Sequence, residues 1–214
     1  MSDPVKPRRY RSSLREEQAQ RTRLAILGAA RQVFAEHGYA ATTIAQIAAT
    51  AGVAVDTVYA SVGTKPVLMR LLIETAISGI DKAVPAEQRD YVQQVKAAVT
   101  AQEKIRIYAA AVTDINRRMA PLQLVLRGAA ATAPELAEMR DEISARRAAN
   151  MRLFARDLAA TGELRPDLDV DEVADVVWSM NSAEYFTLLV RERGWHPDKF
   201  AAWLAEAWCR LFLA

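Results

Sequence analysis

The chain has 214 residues, 51% of them hydrophobic and 25% charged, and 28 Lys+Arg against 26 Asp+Glu leave a formal net charge of +2. This composition excludes a disordered or collagen-like chain, and the length suits one or two domains with a sizeable core. A single cysteine, Cys209, excludes an intramolecular disulfide framework and a cysteine-rich zinc module, and fits a reducing compartment.

Helix is expected throughout, because Ala, Leu, Arg, Glu and Gln dominate, only 8 Gly are present, and β-branched residues form no alternating runs. Ser13-Leu14-Arg15-Glu16 has the form of a capping box and predicts a first helix starting there, with Leu24, Leu27, Ala30 and Phe34 as its apolar stripe. Gly38 offers a left-handed stop after His37. Thr43-Ile44-Ala45-Gln46 is a second capping box, opening a short helix with Ile44, Ile47, Ala48 and Ala51 on its apolar side. Gly52 interrupts it, and residues 55–61 form another short helix. Lys65-Pro66 then opens a longer one, with Val67, Leu68, Leu71, Leu72, Thr75 and Ile80 as its apolar residues. Pro85, Ala101-Gln102, Met119 to Pro121, Ala133-Pro134 and the loop 162–169 divide the rest into further helices. The last two are expected over 170–191 and 197–213, separated by Gly194.

Charge is unevenly placed. Residues 1–70 carry a net +5 and residues 71–214 a net −3, a pattern that suits either an N-terminal third meeting a polyanion or a solvated tail. The residues that follow the tail favour the polyanion. Ile47, Ala48, Gly52, Val53 and Val58 are spaced as a helix-turn-helix requires: Ala48 is small where the second helix crosses, Gly52 can take positive φ at the turn, and the other three form a small core. Such a unit lays its second helix in the major groove of DNA, here exposing Val55, Asp56, Thr57, Tyr59, Ala60 and Ser61. Thr43 at a helix start, with its hydroxyl and N-terminal amides, suits a phosphate, as does Lys65 before Pro66. Asp56 either accepts from a cytosine amino group or caps its helix. Arg8, Arg9 and Arg11 precede the first predicted helix, and either follow the duplex into a minor groove or form a solvated arm.

The run Thr43-Ile44-Ala45-Gln46-Ile47-Ala48, then Ala51-Gly52-Val53, Thr57-Val58-Tyr59 and Gly63-Thr64-Lys65, resembles the signature of the tetracycline-repressor (TetR) family. Ile26-Leu27, Ala30, Phe34 and Gly38-Tyr39 before it match that family's first helix, so the likeness spans about residues 20–70. The resemblance implies an all-α homodimer that binds double-stranded operator DNA. Its N-terminal three-helix helix-turn-helix domain, with the basic arm, would cover 1–65, and a larger helical domain for ligand binding and dimerisation 66–214. It also implies phosphate contacts from Thr43, Tyr59 and Lys65, and base-edge positions at Val55, Asp56 and Thr57. One departure is Ala60-Ser61-Val62, where the family often carries an aromatic-His-His-Phe run.

In the C-terminal body the stretches 170–191 and 197–213 are apolar on more than one side, so each needs two partners. Paired with their symmetry mates they would form a four-helix interface, with Val173, Val177, Met180, Leu188, Trp203, Trp208 and Leu211 as its expected contacts. One large monomeric core is the alternative. The family resemblance also implies a pocket for an unidentified small-molecule effector. Polar or soft residues within apolar helical runs are its candidates: Tyr108, Met119, Gln123, Arg127, Asn150, Met151, Phe154, Trp178 and Asn181, each of which could equally be ordinary core.

Other chemistry is thin. Asp167, Asp169 and Asp171 begin like a calcium loop, but Glu172 replaces the needed Gly and Trp178 the final carboxylate, so a helix cap at Asp169 explains them better. His37 and His196 lack ligand spacing, and no phosphate loop, nucleophile elbow or dinucleotide fingerprint is present. No metal, cofactor or catalytic activity is expected. MSDPVKPRRYRSS has no apolar segment of a secretory signal and no run suits a membrane span, so a cytoplasmic chain without a membrane partner is expected. The expected function is a ligand-released transcriptional repressor on a palindromic operator. An activator or architectural protein without a small ligand, or a helical enzyme with an attached DNA-binding module, are the alternatives.

Overall fold

The computed structural model describes residues 8–214, with side chains from Leu14 onward. Its helices are α1 (Arg8–Ala41), α2 (Ile44–Ala51), α3 (Val55–Val62), α4 (Lys65–Ser78), α5 (Asp90–Ala97), α6 (Ala101–Ala130), α7 (Pro134–Ala159), α8 (Val170–Met180), α9 (Ala183–Phe186) and α10 (Pro197–Phe212). A 3-10 turn (Ala86–Gln88) precedes α5, and a π-helical segment (Thr187–Glu192) follows α9. The fold is all-α. Two compact units are present, one ending at Leu72 and the other beginning at Ile73, so the residues of α4 belong to both.

In the first unit α1 starts at Arg8, five residues ahead of the capping box expected at Ser13. A capping residue needs non-helical backbone, and Ser13 lies inside the helix, so that box caps nothing. The backbone of Arg8, Arg9 and Arg11 is therefore helical, not a separate arm, and their side chains lie outside the described residues. Gly38 breaks α1, but not as a left-handed cap: its φ of 73° is paired with an extended ψ of 175°, after which one more turn forms. Thr42 is buried there and its hydroxyl donates to the Gly38 carbonyl at 2.7 Å.

Thr43 opens α2 with a true capping box. Its hydroxyl accepts from the Gln46 amide at 3.2 Å, and the Gln46 side chain accepts from the Thr43 amide at 2.7 Å. Gly52 closes α2 in the left-handed region, at φ 67° and ψ 35°, and turns the chain into α3. Ile47, Ala48 and Val58 are buried at the crossing, and Val53 is half-buried. Arg23 on α1 donates to the Ser61 carbonyl at 3.0 Å, tying α3 to the long helix. Ile26, Ala30 and Phe34 of α1 and Leu68, Met69 and Leu72 of α4 complete a closed apolar core.

The second unit is built around α6, which packs on α5, α7, α9 and α10, while α7 packs on α8. The break expected at Met119 to Pro121 does not occur, and α6 runs through Pro121. The missing N–H of Pro121 strips a partner from the Arg117 carbonyl, and Arg117 is exposed, so water can replace it. The single helix expected over 170–191 does break. Asn181 ends α8 at φ −85° and ψ 7°, and Ser182 restarts the helix as the cap of α9, its hydroxyl accepting from the Tyr185 amide at 3.1 Å. Asp169 caps α8, accepting from the Asp171 amide at 2.9 Å, and His196 caps α10. Lys104, only 4% exposed, joins three helices by donating to the Val95 carbonyl at 2.8 Å and to Asp157 at 2.9 Å.

Three of the expected dimer contacts face inward. Val173, Val177 and Trp208 are fully buried in the core of their own chain, where Trp208 stacks on Tyr108 at 5.8 Å, so they offer no surface to a partner. Met180 and Trp203 are half-buried, and Leu188 and Leu211 are exposed. Cys209 is half-buried beside this core, and burial pushes its thiol pKa up, so the neutral thiol dominates. No helix among the described residues is long and apolar enough to cross a membrane.

The two glycines Gly28 and Gly52 separate conformational from steric cost, since a Cβ on either would meet nothing within 4 Å. Gly28→Ala, at a helical position of α1, should stabilise the chain by about 0.5–1 kcal/mol. Gly52→Ala should destabilise it by about 1–2 kcal/mol, the cost of a side chain in the left-handed region. Urea unfolding monitored by circular dichroism checks both signs.

Candidate nucleic-acid interface and ligand cavity

On the first unit α3 presents a short outward row. Val55 is 39% and Tyr59 50% exposed, Asp56 is exposed, and Thr57 is half-buried. The row exists because Val58 and Val62 take the inner face of the helix, leaving the positions between them outside. Asp56 does not cap α3. The cap position is Ala54, with no side-chain bond, and Asp56 sits in the first turn, where an acid favours the helix dipole. Ser61 is half-buried and its carbonyl is engaged by Arg23. Thr43 is exposed at the start of α2, beside the N-terminal amides of that helix.

Lys65 is placed differently from Thr43 and Tyr59. Its ammonium donates to the Tyr39 and Thr42 carbonyls, both at 2.9 Å, and lies 4.2 Å from the centre of the Tyr39 ring. It closes the junction between α1 and α2 and is half-buried in doing so.

The second unit holds a cavity of about 940 Å³, within the usual range for small-molecule sites. Seven of the residues singled out in the sequence line it: Tyr108, Met119 and Gln123 on α6, Asn150, Met151 and Phe154 on α7, and Asn181 after α8. Two do not. Arg127 pairs with Glu184 at 2.7 Å outside the cavity, and Trp178 lies behind Arg147, whose guanidinium sits 4.5 Å over its ring.

Polar groups gather at one end. Asn181, 3% exposed, donates to the Tyr108 hydroxyl at 2.8 Å, and Asn116 donates to the Asn181 carbonyl at 3.0 Å. Burial drives the Tyr108 pKa far upward, so its hydroxyl stays protonated, and its ring packs at a tilt against Phe154, centroids 4.5 Å apart. Most of the remaining wall is apolar, with Ile77, Val84, Val92, Val95, Val112, Ile115 and Ile143.

Asn116, Arg147, Arg146 and Glu74 line the cavity without having been anticipated. Spacing was the missed signal for two of them. Tyr108, Val112, Asn116, Met119 and Gln123 follow one another at three- and four-residue steps along α6, and Ile143, Arg147, Asn150 and Phe154 do the same along α7. Glu74 enters from α4 and pairs with Arg146 at 2.7 Å, a contact between distant segments that no local pattern announces.

Residues 26–70 match the family described as bacterial regulatory proteins, tetR family. No curated protein matches the chain in sequence. Among solved structures, a SmeT–triclosan complex is similar with a TM-score of 0.70 and 18% identity, over 90% of this chain and 92% of that one. FadR from Bacillus subtilis, in complex with stearoyl-CoA, is similar at 0.69 and 22% identity, over 86% and 96%. NalD, the secondary repressor of the MexAB-OprM multidrug efflux pump in Pseudomonas aeruginosa, is similar at 0.68 and 20% identity, over 90% and 97%. At these identities the neighbours establish the fold, and the matched segment carries the helix-turn-helix, α1 through the start of α4. The match to the tetR family model is confined to that segment, and over most of the chain the fold is shared with these solved structures.

Proposed function

We propose that the chain is a cytoplasmic transcriptional repressor that binds a palindromic operator as a homodimer and is released by a small molecule held in the second unit. The observation that carries the DNA-binding half is the exposed row Val55, Asp56 and Tyr59 on α3, beside the exposed N-terminus of α2 at Thr43, whose dipole end favours a phosphate. The net +5 on residues 1–70 supports the same reading. Two-fold symmetry would set two copies of α3 in successive major grooves, ~34 Å apart, which matches a palindrome. Leu188 and Leu211, with half-buried Met180 and Trp203, supply the apolar surface for the pairing.

The cavity supports the ligand-responsive half. It is largely apolar with a few convergent polar groups, the usual make-up of an effector site. The triclosan and stearoyl-CoA complexes of SmeT and FadR are consistent with small-molecule binding on this fold. Release needs a ligand that binds one conformer better than the other. The Glu74–Arg146 pair at 2.7 Å forms part of the cavity wall, where a bound ligand meets it.

Titration of the chain against the duplex upstream of its own gene and against random duplex, followed by fluorescence anisotropy, tests the reading. Specific binding should exceed random binding by at least about a thousandfold at physiological salt, and equal affinities would refute it. Val55→Ala and Thr57→Ala should change sequence preference, by about 1–3 kcal/mol at the base pair concerned.

Lys65→Met should instead weaken binding to every sequence and lower the urea midpoint of the first unit, because it unpairs the Thr42 carbonyl, at a cost of about 1–3 kcal/mol when left unsatisfied, and takes the second donor from the Tyr39 carbonyl, which keeps the Thr42 amide. An unchanged midpoint with a flattened salt dependence would restore Lys65 to the phosphate-contacting role.

A further inference from the structure

Among the described residues, one cation of the cavity wall, Arg147, is kept from water with a buried donor unused and no ion pair. On the wall, Glu74 is taken by Arg146 at 2.7 Å and Asp157 by Lys104 at 2.9 Å. Next to it, Glu184 is taken by Arg127 at 2.7 Å. Arg147, one turn from Asn150 on α7, lines the same cavity, and no carboxylate among the described residues lies within 4.0 Å of it. Its guanidinium covers the Trp178 ring and donates once, to the Trp178 carbonyl at 3.0 Å, while its Nε is buried with no acceptor.

An arginine does not shed its proton in a protein, yet burial pulls the pKa of this one down, and the charge of Glu184, which is itself paired with Arg127, opposes that shift without cancelling it. The neighbouring Tyr108 supplies no anion, since burial keeps it protonated. Beyond this polar end the wall is hydrocarbon: Val112, Ile115, Met119, Ile143 and Phe154. A neutral occupant would leave the guanidinium uncompensated, and a cationic one would be repelled by it. Further out, Arg89 and Lys96 against Glu87 add to the positive bias of the lining.

We propose that the cavity takes an apolar monocarboxylate, with its carboxylate on the Arg147 guanidinium and its hydrocarbon body along α6 and α7. The assignment rests on reading the cavity as an effector site and names the chemical class of the effector. It makes Arg147 the residue that selects the head group, through a charge-assisted and geometrically forked contact.

Calorimetric titration of the full chain, without DNA and below micelle concentrations, with dodecanoate, dodecanol and dodecyltrimethylammonium isolates the head group, because the hydrocarbon is shared. Dodecanoate should bind about ten- to a hundredfold tighter than dodecanol, with the ammonium compound weakest. Arg147→Met should bring dodecanoate and dodecanol to similar affinities, and Arg147→Lys should keep part of the difference. If Arg147→Met does not fold, the ranking on the unmodified chain decides. Equal binding of acid and alcohol, preference for the cation, no binding of any of the three, or an acid preference that survives Arg147→Met would overturn the assignment. Each of those outcomes leaves the DNA-binding reading intact, since duplex affinity is measured without ligand. A chain that ignores its upstream duplex but selects dodecanoate through Arg147 would overturn the regulator and keep the ligand class.

Discussion

Where α1 ends, the backbone leaves the helix at Gly38 and the Tyr39 and Thr42 carbonyls turn toward the ammonium of Lys65, which bonds both at 2.9 Å. Without it the Thr42 carbonyl would have no partner at that corner, and the Tyr39 carbonyl would keep only the Thr42 amide at 3.2 Å. The cation satisfies both and covers the Tyr39 ring, which in turn stacks on Phe34 at 5.6 Å in the core. Everything that follows takes its direction from this corner. Thr43 starts the capping box one residue later, Gly52 turns the chain eight residues beyond Ile44, and α3 comes to rest with Val58 inside and Tyr59 outside. The same lysine is the first residue of α4.

Local chemistry explains what could be read in advance. The box at Thr43, the turn at Gly52 and the alternation around Val58 are decided within three or four residues, and the structure realises all of them. The stripe of polar and soft residues on α6 and α7 was legible for a related reason: a helix places residues three and four apart on one face, and a cavity between helices must be lined by such faces. Seven residues therefore came together as a group, although Asn116 and Arg147 complete the same two stripes and were passed over.

Long-range competition explains what could not. Ser13 has the right neighbours for a cap, yet α1 continues back to Arg8 and swallows it. Pro121 looks like a breaker, yet α6 continues through it, packed against α5, α7, α9 and α10. Val173, Val177 and Trp208 are as apolar as a dimer face should be, and hydrophobicity alone does not say whether the partner is another chain or the remainder of the same one. Lys65 is the sharpest case. A lysine at a helix start beside a DNA-binding motif suits a phosphate, but two carbonyls and a ring from residues 39–42 reach it within the fold.

The two units thus serve opposite demands. The first keeps its polar and exposed groups outside, on the N-terminus of α2 and the face of α3, while its apolar core stays closed. The second keeps a space open inside, with a guanidinium on its wall whose buried Nε has no acceptor. The central claim is that α2 and α3 meet the duplex, and hydrogen exchange measured by mass spectrometry with and without upstream DNA tests it most directly. Protection of the amides in 43–46 and 55–61, with exchange across α6 and α7 little changed, is the predicted result. Protection confined to the second unit, or no protection of α2 and α3 at saturating duplex, would contradict it.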